Sequence, residues 1–307
     1  MIVAEVVRSG FVESVHHGSV VVLDASGAVL AAVGTVDQPM FPRSSNKPLQ
    51  TVGMLRAGLR PHEPADLALI SGSHLGEPFH VQRAERILAA AGLTPAALGC
   101  PAALPFAESE RDALLRAGGG PSRILMNCSG KHAGMLATCV ANDWPVESYL
   151  DAKHPLQVAI ADTVVDLAGE PIAATGVDGC GAPVFAFSLT ALARSFQRLV
   201  EAAPGTDERR VADQMRAHPE LVAGTGADDT VLMAGVPGLL SKIGAEGVHA
   251  VAIPGVGAVA LKIEDGATRP RMPVLISALR RLGVEAPLVE VEVLGGGVPV
   301  GVVRAAW

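Results

Sequence analysis

The sequence predicts an α+β fold: a central antiparallel sheet built from N- and C-terminal strands, flanked by helices and interrupted by a helical insertion. Three observations lead there. Strand-like apolar patterns mark residues 2–7 and 19–33 near one end and residues 239–243, 248–253 and 258–264 towards the other. Between them, apolar residues recur at helical spacing. No internal repeat or low-complexity linker divides the 307 residues, so they read as one domain, 1–307, with a sheet-containing lobe and a helical lobe.

In chain order, residues 19–33 form a hairpin turning at Asp24-Ala-Ser-Gly27. A helix begins at Ser44 and runs to about residue 59, with Leu49, Val52, Leu55 and Leu59 on one face; Pro48 is tolerated in its first turn, and Gly58 and Pro61 mark its exit. Residues 66–71 are a short apolar run, strand or helix, ending in the polar loop Ser71-Gly-Ser-His-Leu-Gly-Glu-Pro78. Residues 79–91 read as a helix, and 94–121 as irregular structure with a short helix at 108–117. Residues 124–127 lead into Cys128-Ser-Gly-Lys-His-Ala-Gly134, continued to residue 140 as a buried helix. A helix at 155–168 closes at Gly169. The tight turn Asp178-Gly-Cys-Gly-Ala-Pro183 precedes a strand at 184–189 and helices at 190–202 and 208–218. The glycine-rich segment Gly224-Thr-Gly-Ala-Asp-Asp-Thr230 reads as a loop, and residues 272–282 as the final helix.

Composition narrows the function. With 49% apolar but only 3% aromatic residues, Ala, Val and Leu must supply the core. A net charge of −7 without any run of Lys and Arg excludes a general nucleic-acid or anionic-membrane surface and points to a small-molecule partner. The N-terminus shows strand-like alternation in place of a secretory signal, and no apolar span is long enough for a bilayer, so a cytoplasmic protein is expected. Cys100, Cys128, Cys139 and Cys180 are too few and too spread for a disulfide scaffold; they read as reduced thiols or metal ligands.

The chemistry centres on Phe41-Pro-Arg-Ser-Ser-Asn-Lys-Pro48. Ser44 and Lys47, three apart at a helix start, share a face. A lysine kept neutral by burial and neighbouring cations can take a serine's proton. Against this, a residue before proline resists the α region, and S-x-x-K often arises by chance. Further polar clusters with glycine follow at Ser71–Glu77, Cys128–His132 and Asp178–Gly181, and their repetition makes an enzyme the better reading than a binding module. Ser241-Lys-Ile-Gly244 puts Lys242 on a strand, in a pattern that resembles the K-T-G strand of serine acylases. Ser73 is a hydroxyl placed to meet Lys47 or Lys242 across the fold, with His74 shaping the wall. Cys128, His132 and Cys180 make an ordinary zinc set, with a reading without metal left open beside it. Asp178 could orient a ligand water or bind an ammonium group, and Cys100 and Cys139 look like packing residues.

Taken in order, Ser-Ser-Asn-Lys-Pro, Ser-His-Leu-Gly-Glu, Cys-Ser-Gly-Lys-His-Ala-Gly-Met, Asp-Gly-Cys-Gly-Ala-Pro and Lys-Ile-Gly-Ala-Glu-Gly make the chain resemble the rhizobial-type (thermolabile) L-asparaginase family from about Glu5 to the C-terminal region. The resemblance implies a fold akin to serine β-lactamases and glutaminases, a homodimer, and hydrolysis of L-asparagine to L-aspartate and ammonia. It also implies two serine–lysine pairs, Ser44 with Lys47 and Ser73 with Lys242. For zinc it implies Cys128, Lys131 and Cys180 close to the substrate, which leaves His132 as a pocket residue. The expected mechanism is acyl transfer: Ser44 attacks the side-chain amide, Lys47 takes its proton, and backbone N–H groups near the helix start hold the oxyanion. Arg43 is the candidate for the substrate's α-carboxylate and Asp178 for its α-ammonium. Two rivals stand beside this reading: the same apparatus acting on glutamine, a β-lactam or a small peptide, and a zinc-dependent binding protein without turnover.

Overall fold

The computed structural model describes residues 1–287 and 290–307. Its first two strands, β1 (Ile2–Arg8) and β2 (Phe11–Asp24), are joined by Ser9 and Gly10, both at positive φ (49° and 82°). Two left-handed residues in succession give a turn whose twist suits a hairpin. The apolar pattern predicts this strand only from residue 19. Its outer half, with Glu13, Ser14, His16 and His17, carries too little apolar alternation to be recognised. β3 (Val29–Val33) folds back on β2 across the predicted turn, where Asp24 Oδ1 accepts from Ser26 N (2.8 Å) and Ala28 N (3.1 Å).

The remaining strands are β4 (Pro39–Met40), β5 (Ala174–Val177), β6 (Pro183–Ser188), β7 (Leu240–Gly244), β8 (Val248–Ile253), β9 (Gly257–Ile263), β10 (Val291–Gly295) and β11 (Val298–Ala305). One antiparallel sheet runs in the order β10-β11-β1-β2-β9-β8-β7, with β3 also on β2, so strands from both ends of the chain meet at its middle. β4, β6 and β5 make a second, smaller sheet. The hairpin β10–β11, turning at Gly296 and Gly297, follows the final helix and was not among the expected strands.

The helices are α1 (Lys47–Arg56), α2 (Asp66–Ile70), α3 (Pro78–Ala90), α4 (Glu108–Arg116), α5 (Ser129–Ala141), α6 (Pro155–Ala168), α7 (Leu189–Glu201), α8 (Asp207–Ala217), α9 (Pro219–Val222), α10 (Asp228–Gly235) and α11 (Arg271–Arg281). α7 lies against β2, β8 and β9 and buries Leu192, Phe196 and Leu199, each contributing about 1.5–3 kcal/mol of burial. Ser188 caps it, its hydroxyl accepting from Ala191 N at 3.0 Å. The single helix expected from residue 44 to 59 is instead a 3-10 turn, Arg43–Asn46, leading into α1. The apolar run before Ser71 is helical, and α5 crosses it closely: a Cβ on Gly130 would sit 2.6 Å from Leu69, and one on Gly134 would sit 2.8 Å from Ile70. These two motif glycines therefore admit a neighbouring helix and not a ligand. Among the described residues no helix is long and apolar enough to cross a membrane.

Candidate active site

The 3-10 turn settles how Ser44 and Lys47 are related. With three residues per turn, positions three apart eclipse one another, and Lys47 closes the turn with its N–H on the Ser44 carbonyl while holding an α-region backbone (φ −59°, ψ −38°) in spite of the following Pro48. Arg43, at φ 53°, occupies the left-handed region immediately before the nucleophile candidate. Lys47 is 1% exposed; its Nζ donates to the Gly72 carbonyl and to Ser73 Oγ, the latter at 2.9 Å. Among the described residues no side chain closes a hydrogen bond to half-buried Ser44 Oγ. Of the two lysines that could meet Ser73, the structure gives it Lys47, and among the described residues no hydrogen bond joins Ser73 to Lys242. Neighbouring Asn46 is buried with neither amide atom partnered.

Lys242 comes from β7, which adjoins the 3-10 turn, where Ser45 Oγ donates to the Lys242 carbonyl at 3.0 Å. Its ammonium is fully buried and donates to Asp229 Oδ2 at 3.3 Å and to the Ile243 carbonyl at 3.0 Å. Burial pulls the Lys242 pKa down to about 8 against the opposing pull of Asp229, and Lys47 lowers it further. Asp229 lies in a segment read as loop, and nothing in the sequence reading assigned it a role. The acidic pair Asp228-Asp229 at a helix start was the available signal.

A second polar cluster sits at the N-terminus of α5, where Lys47 acts on Cys128 through its charge. Lys131 Nζ donates to Cys180 Sγ at 3.1 Å. The Cys180 thiol is held well below its ordinary range by hydrogen bonding from Cys128, against its burial, with Lys131 and His132 adding to the pull. Cys128 is correspondingly raised by that same bond and by burial. Lys131 is lowered by burial but raised more by the two sulfurs. His132 Nδ1 meets Tyr149 Oη at 2.6 Å, and that oxygen accepts from Gly99 N at 2.8 Å. The tyrosine proton is thus free for Nδ1, which leaves the imidazole proton on Nε2, facing Cys180 without closing a hydrogen bond. Lys131 Nζ reaches the Cys180 sulfur whereas His132 Nε2 closes no bond, and this favours Lys131 over His132.

Among the described residues no three His, Cys, Asp or Glu side chains are disposed to hold a metal ion by themselves. Cys128 and Cys180 together with the Lys131 amine nevertheless form a compact soft and nitrogen donor set, of the kind that suits zinc. The residues present fit that ion.

His74 does not line an open wall. Fully buried, it accepts from Gly76 N at Nδ1 (3.1 Å), so its Nε2–H donates to Ser129 Oγ (2.9 Å); burial, with His80 and Lys47 nearby, pushes its pKa well down. Arg43 and Asp178 are brought together, Nε to Oδ1 at 2.8 Å, both partly exposed. A cleft of about 420 Å³ opens among Leu55, Arg60, Pro61 and Arg210, away from these serines and lysines. Chemistry, not cleft size, locates the site.

A buried amine held against a serine hydroxyl is the equipment of hydrolases that work by acyl transfer. The family follows from the sequence as a whole: the chain belongs to the L-asparaginase II family, whose sequence model matches residues 4–305, and it is an amidohydrolase. No curated relative matches it. Solved structures similar to it include a LovD6 mutant of simvastatin synthase from Aspergillus terreus (13% identity, 86% of this chain and 90% of that one, TM-score 0.44) and native Mglu (14%, 90% and 66%, TM-score 0.46). A protein described as a β-lactamase from Bacteroides dorei is similar too (13%, 87% and 93%, TM-score 0.46).

Proposed function

We propose that this amidohydrolase converts L-asparagine to L-aspartate and ammonia through an acyl-enzyme on Ser44. The observation that carries the reading is Lys47: buried, eclipsed with Ser44 across one 3-10 turn, and 2.9 Å from Ser73 Oγ. Ser44 Oγ attacks the side-chain amide carbon as its proton passes to the Lys47 amine, whose N–H remains directed at the Gly72 carbonyl. Backbone N–H groups at the start of the turn receive the oxyanion. Ser73, bonded to the same amine, carries the proton on to the departing ammonia, and water then releases aspartate. The 2.9 Å contact favours one second reading, in which Ser73 is the nucleophile and Lys47 its base.

The Arg43–Asp178 pair supports an amino-acid substrate. A zwitterion offers a carboxylate to Arg43 and an ammonium to Asp178, replacing one internal ion pair by two across the ligand. Specificity for asparagine over glutamine rests on one methylene, about 1–3 kcal/mol. Ammonia release measured on asparagine, glutamine and β-aspartyl compounds tests the reading: asparagine is expected to have the highest kcat/KM. No ammonia from any of them would support the binding-protein alternative.

Zinc belongs to the same proposal, held by Cys128, Lys131 and Cys180. When bound it supplies a positive charge that polarises or positions substrate groups near the serines. Binding needs Cys128 and Lys131 to give up their protons, so affinity should fall with acidity. Cys180→Ser is expected to lose bound zinc, read by elemental analysis, and to raise KM for asparagine. Unchanged zinc content would exclude Cys180 as a ligand. The homodimer implied by the family resemblance is part of this proposal.

A further inference from the structure

Beneath the serines lies a buried polar knot that the mechanism above leaves unused. Asp229 is the second residue of α10, where the helix dipole favours a carboxylate. Its Oδ1 accepts from Ser241 Oγ at 2.7 Å and stands 3.4 Å from His249 Nε2; its Oδ2 accepts from Ile243 N at 3.1 Å and Lys242 Nζ at 3.3 Å. Three donors, Ser241, Ile243 N and Lys242, thus bond the carboxylate, and His249 stands beside it. Ser241 Oγ also meets His249 Nε2 at 2.8 Å; since the hydroxyl proton goes to Asp229, the imidazole donates here. The side chains of Asp229, Ser241, Lys242 and His249 are all 0% exposed.

We propose that Asp229 is a positioning residue for catalysis: its carboxylate holds Lys242 in place as a cation beside the serine–lysine cluster, where Lys242 serves as a fixed positive charge and not as the proton acceptor. The inference rests on the proposed reading of the site, which includes Lys242 in it. A lone ammonium this deep would shed its proton. The fixed carboxylate prevents that, and Ser241, itself held by His249, together with Ile243 N keeps it from turning away. Lys47 already occupies the base's position against Ser73. A second cation there favours negative charge developing on the reacting oxygens.

Several groups face Lys242. Asp229 comes from α10, Lys47 from α1 and Cys128 from the start of α5, while His249 from β8 closes the far side of the carboxylate, with Arg271 and Asp228 beyond it. Burial depresses the Lys242 pKa to about 8 and Asp229 opposes the fall. Activity should therefore decline as pH rises through about 8 and Lys242 loses its charge. Removing the Asp229 charge must move that decline to lower pH.

The test is the pH profile of kcat in the full-length enzyme and in Asp229→Asn, with circular dichroism as the fold control. Asp229→Asn should cut kcat about 10²-fold at neutral pH and shift the alkaline limb downwards by about 1–3 pH units. A kcat and limb matching the wild type would overturn the inference. If Asp229→Asn does not fold, the wild-type profile still decides, because the absence of an alkaline limb near pH 8 also overturns it. Lys242→Met separates the two levels. Near-normal turnover in that variant would remove Lys242 from the site altogether. Loss of turnover there, with Asp229→Asn unaffected, would overturn the role of Asp229 alone.

Discussion

Ser44→Ala is expected to lower kcat by about 10⁴–10⁶-fold, the scale on which removal of a covalent nucleophile is felt when its partners remain. Folding should be untouched. The Ser44 hydroxyl is half-buried and has no side-chain partner among the described residues, so the change in stability should stay within about 0.5 kcal/mol. Ser73→Ala removes a proton carrier and not the attacking atom, and its expected loss is smaller, about 10²–10³-fold. Ammonia release in a single turnover, compared between the two variants, checks the assignment. A reversed order, with Ser73→Ala the more severe, would make Ser73 the nucleophile that its contact with Lys47 allows.

The local grammar of the chain was readable wherever punctuation and periodicity coincide. The helix at 155–168 matches α6 residue for residue, because Pro155 opens it and Gly169, at φ 72°, ends it in the left-handed region. Strands β7, β8 and β9 lie within a residue of their expected bounds for a similar reason: glycine and proline bracket short apolar runs. α10 was missed because eight residues give barely two helical turns, and its first turn, Asp228-Asp229-Thr230, looks like the polar loop that precedes it.

The composition of the site was legible; its wiring was not. Ser44 and Lys47 stand between Pro42 and Pro48, and Ser73, Cys128, Lys131, Cys180 and Lys242 stand in glycine-punctuated clusters, which a single chain shows plainly. Which amine meets which hydroxyl depends on contacts across 26 residues for Lys47 and Ser73, and on a helix absent from the reading for Lys242 and Asp229. Burial of three lysines is equally invisible locally, since hydropathy assigns each of them to water.

Lys47→Met tests that burial directly and should separate activity from stability. Methionine fills nearly the same unbranched volume and suits an apolar position, while it removes the group that takes the proton. Turnover is expected to fall about 10³–10⁴-fold. On the stability side, two effects oppose each other. The Gly72 carbonyl loses a donor, which costs about 1–3 kcal/mol, whereas Ser73 is half-buried and can turn to water. Against that, an amine 1% exposed no longer has to be stripped of water on folding, a gain of about 1–3 kcal/mol. The terms nearly balance, so the thermal midpoint of Lys47→Met should match or exceed that of the wild type while the variant is inactive. A calorimetric scan beside a turnover assay reads both. An inactive variant that melts far below the wild type would mean that the amine holds Gly72 and Ser73 in place as part of the frame; turnover within tenfold of the wild type would take the proton-accepting role away from Lys47.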